Sequence, residues 1–201
     1  MEFLSIIGDY IFVAVIFGLL GSSLKINDLL SEHNFKWFKG GFLLLSLISL
    51  LSLILAFNFF GGFLVPFWLA IILSWILRGR IDCPHHGIFA TFILLYVLFF
   101  YQDYIVRYYF LFITFFFIFS IFGIIHDIYQ YQKIRRLKFL YLIFYKHQYI
   151  YWIISALIFS IKIKNFIVLF SVISFVLSYD FFYSKTSRKI LKIIGIKPVR
   201  K

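Results

Sequence analysis

The residues of this 201-residue chain best suited to chemistry lie in one short polar segment, residues 78–87, within an otherwise apolar sequence. The segment contains two arginines, an aspartate, a cysteine, a proline and two adjacent histidines. Two smaller polar groups accompany it: Asp28, Glu32 and His33 follow the first apolar stretch, and His126-Asp127 end a later one. Three separate parts of the chain therefore carry imidazoles and carboxylates.

Neutral imidazoles and carboxylates together are ligands for zinc, manganese or ferrous iron. A bound metal with an open coordination position activates water for hydrolysis. The side-chain types make a divalent metal the candidate cofactor, the alternative being none, with these ligands: Asp28, His85, His86, His126 and Asp127. Arg78 and Arg80 are the predicted groups for holding an anionic part of a substrate.

The composition decides what surrounds these groups. The chain is 63% hydrophobic and 14% charged, with a mean hydropathy of +0.99, whereas a soluble domain has about 25% charged residues. Because so much apolar surface cannot be buried in one water-soluble core, lipid must be the solvent. The sequence predicts an all-α, multi-pass protein of the cell membrane.

A membrane-spanning helix needs about 20 mostly apolar residues. Seven stretches fit: 6–24, 41–58, 60–77, 87–102, 108–126, 139–161 and 165–183. The sixth is the weakest because Lys146, His147 and Gln148 interrupt it, and six spans with residues 137–148 on the membrane surface remain an alternative.

Orientation follows from the positive charges. With seven spans and the N-terminus outside, all but three of the 20 lysines and arginines fall on the cytoplasmic side; the three are Arg107, Lys162 and Lys164. This excess is typical of cytoplasmic segments and places the C-terminus inside. All three polar groups then meet at the cytoplasmic face, where ionisable residues mark a functional site by default.

The chain divides into a transmembrane domain, residues 1–184, and a basic tail, residues 185–201. Leu191, Ile193 and Ile194 alternate with lysines, a pattern typical of a segment lying on anionic lipid headgroups. The net charge of +12 is accordingly attributed to orientation and lipid contact, and a nucleic-acid partner is less favoured.

Simpler interpretations of the polar residues stay open. His85-His86, directly after Pro84, is a candidate cap of a helix at the membrane interface. His126-Asp127 is a candidate charge-neutralising pair beside Lys133. Asp82 is a candidate partner for Arg78 or Arg80. Asp28, Glu32 and His33 fit an ordinary solvated loop. The single cysteine, Cys83, excludes an intrachain disulfide.

The three polar segments resemble those of the membrane-bound metal-dependent hydrolases, a family that includes the LexA-binding inner-membrane protein type. Gly21-Ser22-Ser23-Leu24-Lys25-Ile26-Asn27-Asp28 is similar to the family's Gly-Ser…Pro-Asp-x-Asp-His segment and keeps the second aspartate as Asp28. His85-His86-Gly87-Ile88-Phe89-Ala90-Thr91 is similar to its His-Arg-Gly-x-x-His-Ser/Thr segment. Gly123-Ile124-Ile125-His126-Asp127 resembles its Gly…His…Asp end with altered spacing.

The chain also departs from the family at positions that matter for chemistry. Lys25, Ile26 and Leu29 stand where the family has its proline, first aspartate and histidine. His86 replaces the arginine, and Ala90 replaces the second histidine. The resemblance implies a small polytopic fold, and the departures remove plausible metal ligands.

Three functions are weighed from these features. A non-catalytic or degenerate family member is favoured, acting as a membrane subunit or scaffold with a protein partner or a second copy. The alternative is an active metal-dependent hydrolase on a lipid-linked or phosphate ester substrate at the cytoplasmic face. A transporter or channel using Asp9, Asp180 and the aromatic spans as a path is least favoured, because the sequence shows no inverted repeat and no pair of broken helices.

Overall fold

The computed structural model describes residues 2–31, 35–79, 84–132, 149–182, 192–193 and 195–198. Helices dominate this part of the chain: α1 (Glu2–Ser31), α2 (Gly41–Phe60), α3 (Leu64–Leu77), α4 (Pro84–Phe100), α5 (Gln102–Arg107), α6 (Tyr109–Gln132), α7 (Ile150–Ile163) and α8 (Ile167–Phe181). Two short strands, β1 (Phe35–Lys36) and β2 (Lys197–Pro198), pair with each other. The predicted all-α class is confirmed.

Three helical segments are long and apolar enough to cross a membrane: Ile6–Ser31, Gly41–Phe60 and Tyr109–Ile128. At about 1.5 Å per residue, 20 residues span roughly the 30 Å hydrocarbon core of a bilayer. Four further apolar helices are shorter, at 10–17 residues. By length and composition, these three helices fit the predicted membrane character.

Helix α3 lies at the centre of the bundle. Its Val65, Phe67 and Ile71 are fully buried, as expected for a helix that is apolar on all sides. The Phe67 ring packs against rings of α6 and α7, with centroid distances of 5.6 Å to Phe115 and 5.3 Å to Phe159. The other helices therefore surround the central residues of α3.

Helix α1 continues past the predicted end of its span, residue 24, to Ser31. The prediction of Asp28 in a solvated loop is wrong, because Asp28 lies within α1 and is 3% exposed. Polar partners on α2 explain the extension: Ser23 hydrogen-bonds Ser49 at 2.7 Å, and Asn27 donates to Ser46 at 3.0 Å. Such side-chain bonds between apolar helices satisfy polar groups away from water.

Helices α1 and α8 approach each other closely at Gly21. A Cβ atom at this position would stand 2.5 Å from the Phe175 carbonyl oxygen and would also overlap the Ser178 hydroxyl. Only glycine fits at this spacing, as is common where apolar helices pack backbone to backbone. The contact lies two turns before Asp28 and sets the distance between α1 and α8.

The end of the chain packs back onto the helical body. Strand β2 pairs antiparallel with β1, with Phe35 opposite Pro198 and Lys36 opposite Lys197. The neighbouring Ile196 is fully buried in a small apolar cluster with Ile26 and Leu45. Ile193 is 83% exposed, whereas Leu191, Ile194 and the predicted domain boundary at 184–185 lie outside the described residues.

Candidate functional site

The Asp28 carboxylate is the centre of a buried polar group of four side chains, here called the Asp28 cluster. Tyr179 donates its hydroxyl proton to Asp28 Oδ2 at 2.5 Å. Lys25 Nζ lies 3.7 Å from the same oxygen and donates to the Tyr179 hydroxyl at 3.5 Å. His86 Nε2 lies 3.1 Å from Asp28 Oδ1. Both carboxylate oxygens are therefore engaged.

Three helices position these groups. Lys25 and Asp28 are three residues apart on α1, so both face the same neighbour. Tyr179 lies near the C-terminal end of α8, with its ring under the Lys25 ammonium at 4.6 Å from the centroid. Helix α4 begins at Pro84, whose fixed φ suits the first helical position, and its first turn presents His86.

Burial makes the pairing of Lys25 with Asp28 energetically important. The side chains of both residues are only 5% exposed. An isolated charge in such a position is costly, and a partner of opposite charge offsets the loss of hydration. The two residues form a neutral unit, to which the Tyr179 hydroxyl adds a hydrogen bond and a π face.

A second polar group, the Arg78 cluster, joins the ends of α3 and α6. Arg78 Nε donates to Asp127 Oδ2 at 3.0 Å, with side-chain exposures of 8% and 15%. Gly123 makes room for it, since a Cβ there would overlap the guanidinium. The Tyr151 side chain of α7 interacts with the same guanidinium.

A layer of aromatic rings connects the two clusters. Trp75 of α3 lies 6.5 Å from the His86 ring and 5.9 Å from Trp152, measured between centroids. Trp152 stacks on Phe175 at 5.8 Å, and Phe175 stacks on Tyr179 at 5.8 Å. The Arg78 cluster reaches the same rings through Tyr151, whose centroid lies 6.4 Å from that of Trp152, so both clusters lie at the same end of the bundle.

The predicted site residues divide into two pairs in the structure. Asp28 contacts His86, and Asp127 contacts Arg78. His126 is half-buried in α6, next to Asp127 in sequence. The side chain of His85 and residues Arg80, Asp82, Glu32 and His33 lie outside the described part of the chain, so their predicted roles stay predictions.

The described side chains do not by themselves fit a divalent metal. Within residues 6–31, 35–79, 86–128 and 149–182, no three His, Cys, Asp or Glu side chains come together as possible ligands. Both acids of the predicted ligand set face a basic side chain instead, Lys25 for Asp28 and Arg78 for Asp127. The metal site stays a prediction that depends on residues beyond those described.

Several residues of the clusters were missing from the sequence prediction. From the sequence, Lys25 has a place in the charge count and in the family segment but no partner, although a lysine directly after an apolar stretch needs one. Tyr179 and Tyr151 belong to a set of 14 tyrosines, and nothing local distinguishes them. Gly123 was noted for its motif, but its role as space for Arg78 depends on a helix 45 residues earlier in the chain.

The opposite end of the bundle carries a different polar contact. Asn58 Oδ1, at the end of α2, accepts hydrogen bonds from Tyr96 at 3.0 Å and Tyr101 at 2.9 Å. These two hydrogen bonds keep the end of α2 attached to the α4–α5 connection.

Comparison with known proteins gives this chain no relative. No family model matches the sequence, and neither a curated protein nor a solved structure shows detectable similarity to it. The resemblance to the membrane-bound metal-dependent hydrolases therefore stays a prediction from the three polar segments. What the structure establishes is an apolar helical bundle with two ion-paired clusters at one end.

Proposed function

We propose that the protein is a non-catalytic, multi-pass membrane protein that acts as a membrane subunit or scaffold. It is degenerate with respect to the metal-dependent hydrolases whose polar segments it resembles. The observation that carries the proposal is the position of Lys25, whose ammonium faces the one aspartate that the resemblance retains, Asp28.

Lys25 stands where the family has its proline, and its Nζ lies 3.7 Å from Asp28 Oδ2. The ammonium supplies the positive charge that a metal would otherwise bring to this carboxylate. A divalent cation bound to Asp28 would lie within a few ångströms of Lys25, where repulsion between like charges is strong at low dielectric. The Arg78 guanidinium would repel a divalent cation at Asp127 in the same way, because the two side chains form an ion pair.

We further propose seven membrane spans, with the N-terminus outside and the C-terminus in the cytoplasm. Seven apolar helices, all those described except the six-residue α5, support this count. The charges support the orientation: Lys36, Lys39 and Lys192 lie near the end with the two clusters, and Arg107 and Lys162 belong to the other end.

Cysteine labelling tests the orientation. In a Cys83→Ser background, Lys36→Cys and Asp103→Cys place one thiol at each end of the bundle, both at exposed positions. We expect a membrane-impermeant maleimide to label Asp103→Cys in intact cells and Lys36→Cys only after permeabilisation. The reverse pattern, or labelling of both thiols in intact cells, contradicts the proposed topology.

Metal analysis of the purified protein tests the absence of catalysis. We expect substoichiometric zinc, manganese and iron, and no rise in the unfolding temperature when Zn²⁺ is added, because a ligand stabilises only a fold that binds it. His85→Ala and His86→Ala are expected to change neither result. Asp103→Ala, which removes an exposed carboxylate at the other end, is the matched control.

The opposite result would favour the alternative function, an active metal-dependent hydrolase. Asp28 and His86 in contact at 3.1 Å, at the same end as Arg78, are the observation that favours it. Stoichiometric metal that disappears in His85→Ala or His86→Ala, but not in Asp103→Ala, would reject the non-catalytic proposal.

A further inference from the structure

The pairing of β1 with β2 gathers positive charge from the two halves of the chain. Lys36 stands opposite Lys197 in the antiparallel register. Lys39 follows β1 and Lys192 precedes β2, and both are exposed. We call these two strands with the four lysines the basic sheet. Segments 35–41 and 192–198 contain no aspartate or glutamate.

Like charges opposite each other destabilise an antiparallel pair, so another force must hold the basic sheet. That force is apolar: Ile196 is fully buried with Ile26 and Leu45, and Phe35 packs against the same cluster. The fold therefore maintains a concentration of positive charge at this end of the bundle. An anion at the sheet would offset this concentration of positive charge.

Exposed apolar side chains beside the lysines indicate what kind of anion fits. Ile193 is 83% exposed next to Lys192, and Phe38 is 52% exposed next to Lys39. A surface that presents lysines and bare apolar side chains together matches the boundary between headgroups and acyl chains. A free phosphate ion would leave Ile193 and Phe38 uncovered.

We infer that the basic sheet is a docking surface for the headgroups of anionic phospholipids in the membrane leaflet on that side. The exposed Lys36, Lys39 and Lys192 hold the phosphates, and Ile193 and Phe38 enter the leaflet beside them. The inference rests on the proposed membrane location of the protein and not on its lack of catalysis.

Lipid binding to the full-length protein in detergent tests the inference. Native mass spectrometry gives the relative affinities for phosphatidylglycerol and phosphatidylcholine of equal chain length. Wild type is expected to prefer phosphatidylglycerol, and Lys36→Glu with Lys39→Glu to reduce the preference on the order of tenfold or more, since each basic residue near an anionic surface contributes about fivefold. Millimolar inorganic phosphate is expected to leave the preference intact.

The control variant also replaces two basic residues by glutamate, but at the other end of the bundle. Arg107→Glu with Lys162→Glu alters two exposed basic residues there and is expected to keep the preference. Lys36→Glu alone places a glutamate opposite Lys197, which favours the strand pair, so weaker lipid binding by this variant cannot reflect loss of the sheet.

Three outcomes overturn the inference: no headgroup preference in wild type, equal losses in the two double variants, or displacement of the lipid by inorganic phosphate. If the membrane proposal itself failed, the result would differ, because the protein would then be found in the soluble fraction of lysed cells and not in the membrane fraction. A protein that is embedded and metal-free but shows no lipid preference rejects only the docking surface.

Discussion

Replacing Asp28 by leucine is expected to lower the free energy of unfolding by about 3–5 kcal/mol, the usual cost of removing one partner of a buried ion pair. The reason is the Lys25 ammonium, 5% exposed at its side chain, which would lose its counter-charge while staying buried. The Tyr179 hydroxyl and His86 Nε2 would also lose their acceptor. Thermal unfolding of the purified protein in detergent micelles measures the effect.

A second substitution separates the ion pair from other roles of Asp28. Lys25→Met in the Asp28→Leu background removes the stranded charge and fills the space with apolar atoms. Replacing both partners of a buried pair is often neutral or stabilising, so we expect the double variant to recover most of the lost stability. A double variant as unstable as Asp28→Leu alone would show that the pair is not the source of the loss.

The same variants distinguish a structural from a metal-binding Asp28. In a protein held together by the Lys25–Asp28 pair, the double variant regains stability without any change in metal content. In a metal-dependent hydrolase, both variants lose metal, and Lys25→Met cannot replace the missing ligand. Measuring stability and metal content on one preparation of each variant therefore distinguishes the non-catalytic scaffold from the metal-dependent hydrolase.

The sequence predicted the helices well and the clusters only in part. Long apolar stretches such as α2 and α6 can be recognised from composition alone, because each must face lipid or other apolar helices. The end of α1 could not, since residues 25–31 are helical through bonds to α2 and α8. Asp28 and Tyr179 are 151 residues apart, and no local pattern connects them.

The partner of Arg78 is a second contact that no local sequence pattern could predict. The sequence offered Asp82 as a nearby partner for Arg78 or Arg80, because short separations are all that spacing can indicate, and Asp82 lies outside the described residues. The structure pairs Arg78 with Asp127, 49 residues away, across a gap that Gly123 leaves open. Packing between helices made this choice, and Gly123 becomes meaningful only once α3 is known to lie against α6.

Gly18 and Gly21 of α1 are three residues apart, and replacing each by alanine is expected to change the free energy of unfolding in opposite directions. Gly21→Ala forces a methyl group against the Phe175 carbonyl and is expected to cost about 2–3 kcal/mol, as overpacking of a tight contact does. A Cβ on Gly18 meets nothing within 4 Å. Gly18→Ala is therefore expected to stabilise α1 by about 0.5–1 kcal/mol through helix propensity.

The Gly21 contact also controls the Asp28 cluster, because Phe175 lies one turn before Tyr179 on α8. Moving α8 away from α1 would lengthen the Tyr179–Asp28 hydrogen bond and expose the Lys25–Asp28 pair. Gly21→Ala should then lose part of its stability through the cluster, so combining it with Asp28→Leu is expected to cost less than the two separate losses added together.

Thermal unfolding of Gly18→Ala, Gly21→Ala and the combined variant in one detergent decides this. Equal effects of the two glycines would reject the close approach of α1 and α8, and strict additivity would show that the approach does not position Tyr179.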